Sequence, residues 1–151
     1  SGWHIDSSFP GEESADSEDF STWRVNARSK GRALLMLFLF SDVTDQDGPT
    51  KVRVGSHLDI AKALHPHGEE GVSSVEAGVL VDEASRGRQV VSATGRAGDV
   101  YLLHPFLAHA AQPIRGNRPR IIAQPGLEPK EPTHVSEDGD LLTPLERASK
   151  L

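Results

Sequence analysis

Short runs of apolar residues, bounded by turn-forming residues, recur along the whole chain. The longest run covers residues 33–40, and its brevity together with the preceding Gly31 predicts a buried central strand. Apolar and polar positions alternate at 21–27 and 51–54, as in half-buried strands. A strong apolar cluster at 100–103 follows a Gly-Asp turn and predicts a further strand.

Less regular segments complete the predicted set of elements. Residues 75–81 and 89–93 are β-prone and are interpreted as strands, and 120–124 is interpreted as the last strand of the chain. Residues 58–64 predict a short helix, and a Thr-Pro pair opens a second short helix at 143–148. Many short strands with turns at close intervals indicate an all-β sandwich or jelly roll.

Composition limits the classes to which the protein can belong. With 151 residues it forms one domain, which we divide into a jelly-roll core at 1–126 and a polar tail with a short helix at 127–151. A net charge of -6 without a basic stripe argues against a nucleic-acid partner, and the absence of cysteine excludes disulfides and thiolate ligands. The apolar run is too short to span a membrane, and no signal-peptide pattern opens the chain. We therefore expect a cytoplasmic protein with no membrane partner.

The spacing of His4 and Asp6 suggests a metal site. Alternate residues of an extended segment point the same way, so the two side chains would share one face. The distant His109 would complete a set of two imidazoles and one carboxylate, which is the ligand set of non-haem Fe(II) oxygenases. Arg120 would suit a dicarboxylate co-substrate, because a guanidinium pairs with a carboxylate through two parallel hydrogen bonds.

Each of these residues also has an ordinary structural interpretation. Most His-x-Asp pairs are surface accidents, His109 lies between alanines as a core histidine would, and Arg120 could form a surface salt bridge. Their joint order along the chain favours the metal-site interpretation without excluding the others.

Three blocks of sequence resemble motifs of one enzyme family. Residues 3–6 read WHID, 48–57 contain GPT and VGSH, and 98–120 contain GDV, HPFLAH and NRPR. In this order they are similar to the motifs W-H-x-D, N-G-P…P-G-S-H and G-D…H-P-x-L-x-H…N-x-x-R of the phytanoyl-CoA dioxygenase family of Fe(II)/2-oxoglutarate-dependent oxygenases. Residues 143–148 also resemble a tail of bacterial members. Val54 departs from the usual Pro, and Asp47 from the common Asn.

The resemblance implies the fold and the ligands. The fold would be a double-stranded β-helix, a cupin-like jelly roll with minor helices. The iron ligands would be His4, Asp6 and His109, with His109 favoured over His104 because the ligand is the second histidine of its motif. The family has helices and at least one barrel strand before its His-x-Asp motif, so we expect the N-terminal part of the family fold to be missing here.

The resemblance also implies the co-substrate and the reaction. Arg120 would anchor the far carboxylate of 2-oxoglutarate, and Thr50 is a further candidate for contact with it. The enzyme would use Fe(II), 2-oxoglutarate and O2, release succinate and CO2, and hydroxylate a small molecule or acyl derivative. Related halogenases carry a small residue in place of the carboxylate ligand, so Asp6 favours hydroxylation. The alternative is a cupin-like metal-binding or scaffold protein without turnover, which an assay of 2-oxoglutarate conversion distinguishes.

Overall fold

The computed structural model describes residues 2–12, 22–131 and 144–148. Within these residues the strands form three antiparallel sheets, accompanied by few and short helices, an arrangement compatible with a β-sandwich. Most of the acidic loop at 11–19 and residues 132–143 of the polar tail lie outside the described residues.

The strands are β1 (Phe9–Pro10), β2 (Trp23–Val25), β3 (Leu34–Leu39), β4 (Lys51–Arg53), β5 (Val72–Ser73), β6 (Val90–Ser92), β7 (Val100–Leu103), β8 (His109–Ala110), β9 (Ile122–Ala123) and β10 (Gly126–Leu127). The helices are α1 (Ser56–Leu64), followed by a 3₁₀ turn at His65–His67, α2 (Ser74–Ala84) and α3 (Pro144–Ala148).

The central strand of the largest sheet is β3, as the apolar run predicted. It pairs with β7 along one edge and with β9 and β10 along the other. Leu35, Leu37 and Leu39 are buried, whereas the alternate positions are partly exposed, so one face of the strand supplies the core. The prediction of a single last strand at 120–124 is wrong in extent, because only β9 pairs there and the chain then pairs with β3 a second time through β10.

A second sheet carries the predicted metal motif on its edge. Its order is β6-β4-β8, and an antiparallel bridge between His4 and His109 adds the N-terminal segment beside β8. Ile5, Ala108 and Ala110 belong to the core cluster formed with α1 and α2. Alternation along these segments therefore directs the intervening histidines away from the helices and towards the opposite face of this sheet.

The strand interpretation of residues 75–81 is wrong, because they form most of α2. Ser73 caps this helix, accepting a hydrogen bond from the Glu76 backbone, while the Glu76 carboxylate accepts one from the Ser73 backbone. Ala77 and Val81, one helical turn apart, are buried, whereas Val79 on the intervening turn is 60% exposed. The buried positions Ala77 and Val81 therefore have the spacing of one helical face, and Val75 and Val79 lie on the exposed side of the helix.

The remaining sheet, of order β1-β2-β5, follows the metal motif in the chain. The predicted helix at 58–64 is confirmed as α1, and the predicted helix near the C-terminus is present as α3. Among the described residues, every helix is too short or too polar to span a lipid bilayer.

Candidate metal centre

His4, Asp6 and His109 lie together at the edge of the second sheet. Each offers one ligand atom, and these atoms all lie within 4.8 Å of one another. Asp6 Oδ1 is 3.3 Å from His109 Nε2 and 4.0 Å from His4 Nε2. The arrangement arises because His4 and Asp6 are alternate residues of an extended segment whose backbone pairs directly with that of His109.

Backbone carbonyls fix how both imidazole rings point. His109 Nδ1 donates to the Leu107 carbonyl at 3.0 Å, and His4 Nδ1 donates to the Gly2 carbonyl at 2.8 Å. Because a carbonyl can only accept, Nδ1 of each ring carries a proton, and Nε2 of each ring faces Asp6. Carbonyls that receive Nδ1–H in this way are the usual outer contacts of metal-binding histidines.

The inner atoms of the cluster fit a divalent cation. His109 Nε2 is buried and has no hydrogen-bond partner, and its 3.3 Å contact with Asp6 Oδ1 is long for a charge-assisted hydrogen bond. A divalent cation among these atoms would bind the lone pair of each Nε2 and offset the negative charge of the Asp6 carboxylate. Two imidazoles and one carboxylate suit first-row divalent metals, and with open positions they suit non-haem Fe(II).

The second oxygen of Asp6 is held from another direction. Gln124 Nε2 donates to Asp6 Oδ2 at 2.9 Å, and Arg32 Nη1 lies 3.3 Å from the same oxygen. Burial of Asp6 disfavours its charged form, but the contact with His109 and the charges of Arg32 and His4 outweigh burial and lower the pKa of this carboxyl below its usual value. Asp6 is therefore a carboxylate at neutral pH.

Arg120 and Thr50, the two residues expected at the co-substrate, are also neighbours. Arg120 Nη1 lies 3.4 Å from Thr50 Oγ1, and Thr50 is buried. Thr50 directly precedes β4, while Arg120 precedes β9, so the contact joins the sheet of β4 to the sheet of β3. Alternation places Arg120, Ile122 and Gln124 on one side of their segment, and Ile122 packs on the core cluster of Leu37. The same segment therefore reaches both Thr50 and Asp6.

His104, which the motif disfavoured as a ligand, lies in a different environment. Its ring stacks on His57, with ring centroids 4.9 Å apart, and its Nδ1 accepts a hydrogen bond from the Phe106 backbone. Among the described residues, the candidate metal cluster contains His109 and not His104.

Sequence reasoning missed Arg32 and Gln124, the two partners of Asp6. Arg32 reads as the polar start of the apolar run, and it reaches Asp6 because the backbone turns sharply at Gly31. Gly31 has φ of 81°, and a Cβ there would lie 2.0 Å from the Ser8 carbonyl oxygen, so only glycine allows this approach. Gln124 could have been suspected from its alternation with Arg120, but no spacing pairs it with Asp6.

A β scaffold that brings two histidines and one carboxylate together defines a candidate mononuclear metal protein. The family model described as phytanoyl-CoA dioxygenase (PhyH) matches residues 3–122. The chain therefore belongs to the PhyH family, and the resemblance read from its motifs is confirmed. No curated protein and no solved structure gave a significant match to the chain.

Proposed function

We propose that the protein is a non-haem Fe(II)/2-oxoglutarate-dependent dioxygenase that hydroxylates a small molecule or acyl derivative. The observation that carries the proposal is the convergence of His4 Nε2, His109 Nε2 and Asp6 Oδ1 in a chain of the PhyH family. Members of this family use Fe(II) and 2-oxoglutarate. We also propose that residues 1–126 form the double-stranded β-helix core of the enzyme and that 127–151 form a polar tail.

The proposed roles follow from the chemistry of each side chain. His4, Asp6 and His109 would hold the iron, and the bound iron with 2-oxoglutarate and O2 would supply the oxidising chemistry, giving succinate, CO2 and hydroxylated product. Arg120 would bind the far carboxylate of 2-oxoglutarate with its guanidinium, and the Thr50 hydroxyl beside it would add a hydrogen bond.

Formal charges support a dianionic co-substrate. Two neutral imidazoles and one carboxylate would leave a divalent ion with a net charge of about +1. The guanidinium of Arg120 adds a second positive charge, and no carboxylate of the described residues lies within ion-pair distance of it. A 2-oxoglutarate dianion would neutralise both charges, whereas a monoanion would leave one positive charge uncompensated.

The test is succinate formation from 2-oxoglutarate in the presence of Fe(II) and O2, with uncoupled turnover measured because the substrate is unidentified. We expect Asp6→Ala to abolish metal binding and Arg120→Ala to raise the Kd for 2-oxoglutarate with metal affinity retained. Asp45→Ala and Arg118→Ala are matched controls, because Asp45 is exposed and Arg118 pairs with Asp47 instead.

The outcomes separate the enzyme from the alternative protein class. Succinate formed only with Fe(II) and O2 would support the dioxygenase. Metal binding without 2-oxoglutarate binding or turnover would support a cupin-like metal-binding protein, and the absence of both would overturn the proposal. The assigned roles would be contradicted if Arg120→Ala lost metal affinity while both Arg120→Ala and Asp6→Ala kept their affinity for 2-oxoglutarate.

A further inference from the structure

The two oxygens of Asp6 have different partners. Oδ1 faces His4 and His109, whereas Oδ2 accepts a hydrogen bond from Gln124 and lies in ion-pair contact with Arg32. A carboxylate can bind a metal through one oxygen or through both, and the choice depends on which lone pairs are free. Here the amide of Gln124 and the guanidinium of Arg32 already contact Oδ2.

The fold holds both Gln124 and Arg32 in place. Gln124 lies between β9 and β10, which both pair with β3, so its backbone is fixed at each side. Arg32 also donates to the Ser7 carbonyl at 3.3 Å, and its side chain is mostly buried. These contacts reach Asp6 from the sheet of β3, while its histidine neighbours belong to the sheet of β4. The Asp6 carboxylate is therefore contacted from both the sheet of β3 and the sheet of β4.

We propose that Gln124 and Arg32 are positioning residues that present Asp6 to the metal through Oδ1 alone. The inference rests on the proposed metal centre and deepens it. With Oδ2 engaged, the carboxylate cannot rotate to offer both oxygens without breaking its hydrogen bond with Gln124 and its ion pair with Arg32. Ligation through one oxygen would leave more of the cation's positions for other ligands.

The two positioning residues differ in charge, and this difference makes the proposal testable. Gln124 is neutral, so its replacement removes orientation alone. Arg32 is positively charged and lies close to the cation site, so it orients Asp6 but also repels a bound cation. We expect Gln124→Met to weaken metal binding by about 10- to 100-fold, the usual effect of losing an outer contact of a ligand. Arg32→Met should cost less, because the lost orientation is offset by relief of repulsion.

The experiment measures Mn(II) affinity of the metal-free protein by calorimetry, with the Mn(II) electron paramagnetic resonance signal as an independent readout of the bound ion. Gln89→Met is the matched control, since Gln89 is exposed on the segment before β6. Thermal unfolding of each metal-free variant checks that the fold is intact. If Gln124→Met does not fold, Gln124→Asn keeps the amide but shortens it by one methylene, which also breaks the contact.

A loss of at least tenfold in Gln124→Met or Gln124→Asn, a smaller loss in Arg32→Met, and an altered Mn(II) signal would support the proposal. Mn(II) affinity within twofold of wild type in a folded Gln124 variant would overturn it while leaving the proposed function intact. A larger loss in Arg32→Met than in Gln124→Met would overturn the assignment of opposing effects to Arg32. Failure of the wild-type protein to bind Mn(II) or Fe(II) would overturn both the metal centre and this inference.

Discussion

The guanidinium of Arg53 lies 4.2 Å from the centre of the Trp3 ring. Trp3 directly precedes His4, the first candidate metal ligand in the sequence. Arg53 is buried, and it reaches α2 through an ion pair with Asp82 at 2.9 Å and a hydrogen bond to Ser85. The cation–π contact therefore ties the N-terminal segment to β4, and the ion pair ties β4 to the helix. The position of His4 is therefore fixed both by this packing of Trp3 and by the backbone hydrogen bonds between His4 and His109.

Removing Asp82 should destabilise the protein, because it leaves the buried charge of Arg53 without its carboxylate. Asp82→Ala is expected to lower the free energy of unfolding by about 2–3 kcal/mol, which is below the usual value for a fully buried pair because Asp82 is partly exposed. Urea denaturation gives the measurement. Glu83→Ala, at the next and exposed position of α2, is the control, and an equal effect of both substitutions would contradict the prediction.

A second prediction concerns the pH dependence of stability at His104. Burial, reinforced by the neighbouring His57, lowers the pKa of His104 to about 4, although a hydrogen bond to the Leu145 backbone opposes the shift. The unfolded chain takes up this proton near the ordinary value of 6.5, so the contribution to stability is complete above that pH and is lost as pH falls towards 4. Linkage gives a loss of about 2 kcal/mol between pH 7.5 and pH 5 from this residue.

The His104→Asn variant tests this linkage, because its amide oxygen can replace Nδ1 as the acceptor for the Phe106 backbone. The difference in unfolding free energy between pH 7.5 and pH 5 should shrink by about 2 kcal/mol relative to wild type. The exposed His67→Asn provides the baseline. An unchanged pH profile in His104→Asn would show that another group carries the dependence.

Gly31 should tolerate no side chain. Gly31→Ala places a methyl group against the Ser8 carbonyl at a positive φ, and we expect a loss of about 2–3 kcal/mol in unfolding free energy. Gly87→Ala is the matched substitution, since no atom lies within 4 Å of a Cβ at that position. Because Gly31 directs Arg32 towards Asp6, we also expect the folded fraction of Gly31→Ala to show altered Mn(II) affinity. Equal stability of the two alanine variants would contradict the argument.

The parts of the structure that follow from local patterns were predictable, and the parts that follow from long-range pairing were not. The run at 33–40 became β3, because a short and continuous apolar segment between turn residues has few other solutions. Residues 75, 77, 79 and 81 of α2 are apolar at alternate positions, as in a strand, whereas packing of Ala77 and Val81 against α1 stabilises the helix. The capping box of Ser73 and Glu76 is a local signal for this helix that the strand interpretation did not use.

The candidate site divides in the same way. His4 and Asp6 were identifiable as neighbours because alternate residues of a strand share a face, and motif order added His109. Gln124 meets Asp6 only through the pairing of β9 and β10 with β3, and the two residues lie 118 positions apart in the chain. No spacing rule predicts such a contact, since the register of an entire sheet determines it.

Metal binding should stabilise the folded protein in a way that depends on Asp6. A ligand that binds only the folded state at 100 times its Kd adds about 2.7 kcal/mol, which for a domain of this size raises Tm by roughly 5–10 °C. Mn(II) should produce this shift in wild type, and a chelator should reverse it. Asp6→Asn keeps the shape of the side chain but removes the charge that offsets the cation, so the shift should disappear.

Comparing each variant with and without Mn(II) separates this effect from the lost ion pair with Arg32. Asp45→Asn, exposed on the surface, should retain the full shift. A shift of equal size in Asp6→Asn would place the cation elsewhere, since a bound Mn(II) that does not depend on the Asp6 carboxylate cannot occupy the cluster with His4 and His109.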